Sequence, residues 1–151
     1  MHLGDVIEKH LIKVPLVSTD KRSVLTELVD TLANDKEYTP EKRKAILEAV
    51  FDREALGSTG IGGGVAIPHA KLAWMKHIRL VVGVSKNPID FGSPDGEPTR
   101  LFFLVLAPAD EAGAHVELLA SIARACSSPL MRKMLLSARS ADEVYDLFAD
   151  N

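Results

Sequence analysis

The chain holds a single cysteine, Cys126, among 151 residues. One cysteine excludes an intrachain disulfide and a cysteine-based metal cluster. Cys126 lies in an apolar helical pattern, so a buried structural thiol is expected there. No apolar run is long enough to span a bilayer, and the first residues lack the pattern of a secretory signal. Membrane insertion is therefore not expected, and the cytoplasm is the expected compartment. A long basic block is also missing. With a net charge of −3 and a pI near 5.9, nucleic acid is not expected as a partner. The glycines are not followed by Gly-Lys-Ser/Thr, and they do not form G-x-G-x-x-G. Ser58 is not in a G-x-S-x-G elbow, and no histidine pair has zincin spacing. Nucleotide hydrolysis, serine hydrolysis and zinc catalysis fall away, and neither a metal nor another cofactor is expected.

What is present reads as one globular domain over residues 1–151. A hydrophobic content of 46% with 26% charged residues is ordinary for a soluble protein that buries its own core. Residues 3–10 read as a short helix. Residues 10–17 read as an extended segment near a sheet edge, because Pro15 cannot donate to a ladder. Ser18-Thr19-Asp20 is a helix start, followed by Val24, Leu25, Leu28, Val29 and Leu32 at helical spacing. Thr39-Pro40 is a second start, with Ile46, Leu47, Val50 and Phe51 as the apolar face of a helix ending near Ala55. Residues 57–64 read as a glycine loop. Residues 65–67, 80–84 and 101–106 read as buried strands, the last a central one. Asn87-Pro88 and Ser93-Pro94-Asp95-Gly96 are turn signals. Helical patterns follow over 112–125, 129–137 and 140–148, with Ser140 and Glu143 as a capping box. The alternation predicts an α/β layered sandwich, a mixed sheet with helices on both faces.

One stretch carries the chemistry: Gly60-Ile61-Gly62-Gly63-Gly64-Val65-Ala66-Ile67-Pro68-His69. A glycine tract lets backbone N–H groups approach an anion, and Val65, Ala66 and Ile67 can anchor it in a sheet. Pro68 fixes its own φ and biases Ile67 toward an extended backbone. The expected result is His69 at the end of a strand, held beside a phosphate-sized cradle. That arrangement suits a histidine that accepts and hands on a phosphoryl group. His115, at the start of a helix, reads either as a solvated first-turn residue or as a group that donates to a phosphate or sets the tautomer of His69. Arg53 serves either the helix dipole or as a clamp on phosphoryl oxygens. Ser58 and Thr59 are loop residues or hydroxyl donors to the same oxygens, with Gly62, Gly63 and Gly64 as the backbone cradle. Lys71 reads as a solvated lysine or as one that steers an acidic partner. His2, His10 and His77 read as structural or exposed.

From Arg53 to Lys71 the sequence R-E-A-L-G-S-T-G-I-G-G-G-V-A-I-P-H-A-K resembles the active-site signature of the mannitol/fructose-type EIIA domains of the bacterial phosphoenolpyruvate-dependent phosphotransferase system. The nitrogen-regulatory branch is the nearest likeness. Pro88-Ile89-Asp90-Phe91, Asp95-Gly96-Glu97-Pro98, the segment from Phe103 to Pro108, and Ala114-His115 also look like the family, in the same order. Gly63 departs from it, since asparagine is frequent there. The resemblance implies that His69 is phosphorylated, that Arg53 and His115 are its companions, and that an HPr-like carrier (NPr or HPr) brings the phosphoryl group. It implies either a regulator acting on proteins such as kinases or potassium transport components, or a transport enzyme passing phosphate to a IIB domain.

Overall fold

In this computed structural model, which describes residues 1–149, the chain runs β1 (Ile12–Leu16), α1 (Lys21–Ala33), α2 (Pro40–Ala55), β2 (Gly60–Gly62), β3 (Val65–Ala66), β4 (His69–Leu72), β5 (Arg79–Ile89), β6 (Thr99–Pro108), α3 (Ala112–Cys126), α4 (Pro129–Ser137) and α5 (Ala141–Ala149). The strands form one mixed sheet in the order β1-β5-β6-β3-β2, and β4 also pairs with β6. β1 lies at the edge, parallel to β5; β5 and β6 are antiparallel; β3 and β4 run parallel to β6.

Period-two alternation along β6 divides the core. Phe102, Leu104 and Leu106 face the layer made by α1 and α2. Leu101, Phe103 and Val105 face the layer made by α3, α4 and α5. All six are buried, and each such side chain contributes about 1.5–3 kcal/mol of burial. Helix starts follow the capping chemistry of the sequence. The Asp20 carboxylate accepts from the Ser23 N–H at 2.8 Å, and the Thr39 hydroxyl from the Lys42 N–H at 3.2 Å ahead of Pro40. Cys126 is buried between α3 and the sheet, and burial pushes its thiol up to about 12.

Several expectations need correction. Residues 3–10 form two short 3-10 turns, Leu3–Asp5 and Lys9–Leu11, rather than one helix. The glycine loop contains a strand: β2 pairs antiparallel with β3, and Gly62, Gly63 and Gly64 turn the chain at φ values of 86°, 66° and 81°. Asn87-Pro88 is not a turn but a register shift within β5, where Ser85 Oγ donates to the Asn87 carbonyl. At the start of α5 the Ser140 hydroxyl accepts from the Glu143 N–H at 3.2 Å, as expected, but the Glu143 carboxylate accepts from the Arg139 N–H instead of that of Ser140.

Candidate active site

His69 does not end a strand; it opens one. Pairing of β3 with β6 ends at Ala66, and the Ile67 N–H donates on the opposite side to the Thr59 carbonyl at 3.0 Å, next in register to the Gly60–Ala66 pair. Pro68 has no N–H to offer. Pairing resumes when the Pro68 carbonyl accepts from Val105 at 2.9 Å, and β4 then runs from His69 beside Val105 to Leu72 beside Pro108. This break turns the imidazole back on its own backbone: His69 Nδ1 lies 2.8 Å from the Ile67 carbonyl oxygen. A carbonyl only accepts, so Nδ1 carries the proton and donates, and in the neutral ring Nε2 is the nitrogen with the lone pair.

At β4 the two helical layers meet. α2 packs on β4 from one side and brings Arg53 from its last turn; α3 brings His115 from its first turn. Between them lies a cleft of about 440 Å³. Its polar lining consists of Arg53, His69, Lys71 and His115, and no carboxylate among the described residues lines it. Ala49, Ala70, Val116 and Leu119 make its apolar wall. Nothing in the sequence singles out Ala49 or Val116, although Val116 directly follows His115 on the same helix.

The His69 and His115 rings meet edge to face, with centroids 5.3 Å apart and planes at 79°. His115 is 3% exposed, so the solvated first-turn reading does not hold. Its Nε2 is the one buried side-chain nitrogen or oxygen without a hydrogen-bond partner among the described residues. Burial, with smaller contributions from His69 and Lys71, pushes its pKa down to about 4, and the ring is neutral at pH 7. Arg53 is half-buried, and its Nη1 donates to the Gly57 carbonyl at 3.0 Å.

Of the loop donors expected beside His69, the Ser58 and Thr59 hydroxyls and the Gly63 N–H are engaged elsewhere. Ser58 Oγ donates to the Phe91 carbonyl at 2.6 Å, and Thr59 Oγ1 donates to Glu54 at 2.6 Å. The Gly63 N–H donates to Asp95 at 3.0 Å, while the Gly64 carbonyl accepts from Arg100 and Leu101. A Cβ at Gly62 would lie 3.2 Å from Asp95. None of Ser58, Thr59, Gly62, Gly63 and Gly64 lines the cleft. The structure brings together Arg53, His69 and His115 and sets the loop set apart as a fastening. Of the other histidines, His2 caps the first 3-10 turn, His10 meets Asp35 at 3.2 Å, and His77 is exposed. Among the described residues no group of histidine, cysteine or carboxylate side chains could hold a metal ion, and no helix is long and apolar enough to cross a membrane.

Comparison with solved structures identifies this architecture as that of phosphotransferase-system IIA proteins. The nitrogen regulatory protein IIA-Ntr from Neisseria meningitidis superposes with a TM-score of 0.88 at 32% identity, over 97% of this chain and 98% of that one. IIA mannitol from Escherichia coli shares the fold, with a TM-score of 0.78 at 22% identity over 95% of this chain and 99% of that one. The family model described as phosphoenolpyruvate-dependent sugar phosphotransferase system, EIIA 2, matches residues 5–151, and the chain belongs to that family. Its chemistry is accordingly phosphoryl transfer. The nitrogen regulatory protein of Bradyrhizobium diazoefficiens is 36% identical, over 99% of this chain and 95% of the relative. A fructose-specific EIIABC component from Bacillus subtilis is 37% identical over 97% of this chain, which spans 23% of that longer protein.

Proposed function

We propose that residues 1–151 act as one cytoplasmic phosphocarrier unit in which His69 accepts a phosphoryl group from an HPr-like protein (NPr or HPr) and holds it as phosphohistidine. One observation carries this reading. The Nδ1–H of His69 is tied to the Ile67 carbonyl at 2.8 Å, which leaves Nε2 as a nucleophile in a cleft whose other polar groups bear nitrogen. In the reaction the His69 Nε2 lone pair attacks the phosphorus of the carrier's phosphohistidine. The new N–P bond forms as the carrier's P–N bond breaks, and the carrier imidazole leaves with that electron pair. Arg53 and Lys71 offset charge on the transferring oxygens. The neutral His115 ring, with its proton on Nε2, donates to one of them. Positioning and electrostatics supply the catalysis. Val116, 65% exposed at the cleft, gives the carrier an apolar landing beside the reacting atoms.

The regulatory role is favoured over sugar transport because the nitrogen regulatory relatives correspond to this chain across nearly their whole length. Its phosphorylation state would then decide which targets, such as kinases or potassium transport components, it binds. The fructose-specific relative supports a second reading, in which the phosphoryl group passes to a IIB domain. Intact-mass analysis after incubation with phosphoenolpyruvate, Enzyme I and the carrier tests the acceptor. One acid-labile phosphoryl group on the wild type and none on His69→Ala is the expected result. A phosphorylated His69→Ala protein would overturn it. Adding candidate IIB domains and regulatory targets then separates the two roles.

A further inference from the structure

We propose that Glu54 is a positioning residue that sets the orientation of both His69 and Arg53 through the segment between them. The inference rests on the reading of His69 as phosphoryl acceptor. Glu54 is a carboxylate 8% exposed on the last turn of α2. A buried charge is costly unless it is paired and hydrogen-bonded, and here its partners are few and specific. Glu54 Oε1 accepts from the Thr59 N–H at 2.9 Å and lies 2.9 Å from Lys21 Nζ; Oε2 accepts from the Thr59 hydroxyl at 2.6 Å. Lys21 also donates to the Phe91 carbonyl at 3.2 Å, which ties this charge pair to the chain beyond β5.

From Thr59 the bonding runs directly to the reacting ring. The Thr59 carbonyl accepts from the Ile67 N–H at 3.0 Å, and the Ile67 carbonyl accepts from His69 Nδ1 at 2.8 Å. The carboxylate fixes Thr59, Thr59 fixes the Ile67 peptide, and the Ile67 carbonyl selects the His69 tautomer that frees Nε2. A second branch serves Arg53. The Gly57 N–H donates to the Glu54 carbonyl at 3.2 Å, and with Thr59 clamped two residues on, the Gly57 carbonyl is held where Arg53 Nη1 reaches it at 3.0 Å. One buried carboxylate thus orients two of the four nitrogen groups that line the cleft. It lies outside the cleft lining itself.

The test uses Glu54→Gln and Thr59→Val in the full chain, with the exposed Glu48→Gln on the same helix as baseline. Two readouts are taken: the rate of phosphorylation by the carrier, and the 15N shifts of the His69 ring by NMR. In the wild type the shifts should show a protonated Nδ1 and a bare Nε2. Both substitutions should reduce kcat by on the order of tenfold to a hundredfold, the scale of a small misplacement of a reacting group, with KM for the carrier little changed. Both should move the two nitrogen shifts toward each other as the tautomer preference is lost. The double variant should be no slower than the worse single one, because both act through the same link. A folded Glu54→Gln or Thr59→Val protein with wild-type kcat and unchanged ring shifts would overturn the proposal. Should the wild type accept no phosphoryl group at all, the acceptor reading fails by itself, and the ring shifts still decide whether Glu54 orients His69.

Discussion

Arg79 and His69 flank β6 at nearly the same level of the sheet: Arg79 on β5 lies beside Leu106, and Ala70, next to His69 on β4, lies beside the same Leu106 from the other side. The two sites are built in opposite ways. The Arg79 guanidinium is buried and makes four hydrogen bonds for its five N–H groups. It meets Glu8 at 3.1 Å, Asp35 at 2.9 Å and Glu37 at 2.6 Å, and donates to the Tyr38 hydroxyl at 3.0 Å. Burial opposes its charge, and the Asp35 and Glu37 carboxylates outweigh that and raise its pKa further. Across the strand, the cleft has, among the described residues, nitrogen groups and no carboxylate, and the buried His115 Nε2 bonds to none of them. A cation paired in this way holds chain segments together. An unsaturated set retains bonding capacity for a substrate, at a cost to the fold of about 1–3 kcal/mol for a buried polar group left unpaired.

That contrast can be broken from either side. The largest effect expected is on His69→Ala, with complete loss of phosphoryl acceptance by intact mass and an unfolding midpoint close to wild type. Arg53→Ala should come next, slowing phosphorylation by about 10²-fold in single-turnover kinetics; an unchanged rate would remove Arg53 from the clamp. Arg79→Met should do the reverse. It should lower unfolding free energy by about 2 kcal/mol in urea titration, less than for a fully buried pair because Glu8 and Glu37 stay partly solvated, while leaving the phosphorylated fraction intact. The smallest effect is on His115→Leu. Removing an unpaired buried nitrogen should leave stability equal or slightly higher while phosphorylation slows.

The same variant sharpens a pH dependence. The folded-state pKa of His115 lies near 4, below the ordinary 6.5, so the unfolded chain binds the extra proton first between those values. Stability therefore rises with pH across that window. This contribution is fully present above about pH 6.5 and is lost as pH falls toward 4. In His115→Leu that part of the slope should vanish. A slope that persists unchanged belongs to other groups.

The sequence made the layers legible because capping residues and apolar periods agree with the tertiary packing: Val24, Leu25, Leu28, Val29 and Leu32 are all buried, as their spacing requires. It also marked Arg53, His69 and His115, three residues far apart in the chain that converge on one cleft. What it could not mark was the direction of hydrogen bonds. The Thr59 hydroxyl, just before a glycine tract, reads as a phosphate donor until the structure shows Glu54 accepting from it. A glycine tract reads as a loop because glycine has little strand preference, yet β2 forms there from pairing supplied by β3, and a Cβ at Gly60 would lie 2.3 Å from Ser93 Oγ. Glu54, beside Arg53, has no mark of its own in the sequence beyond a carboxylate five residues before a Thr.

Cys126, the lone thiol, offers a clock. It is 3% exposed under α3 and faces the core shared by α3, α4 and α5, and not the core under α1 and α2. With its pKa near 12 it is almost wholly protonated and hidden in the closed molecule. A thiol reagent therefore reacts only when that layer parts from the sheet, and the labelling rate counts such openings without touching the cleft. Since α3 also carries His115, timing the clock with and without a phosphoryl group on His69 would show whether charge placed beside one end of the helix quiets the other.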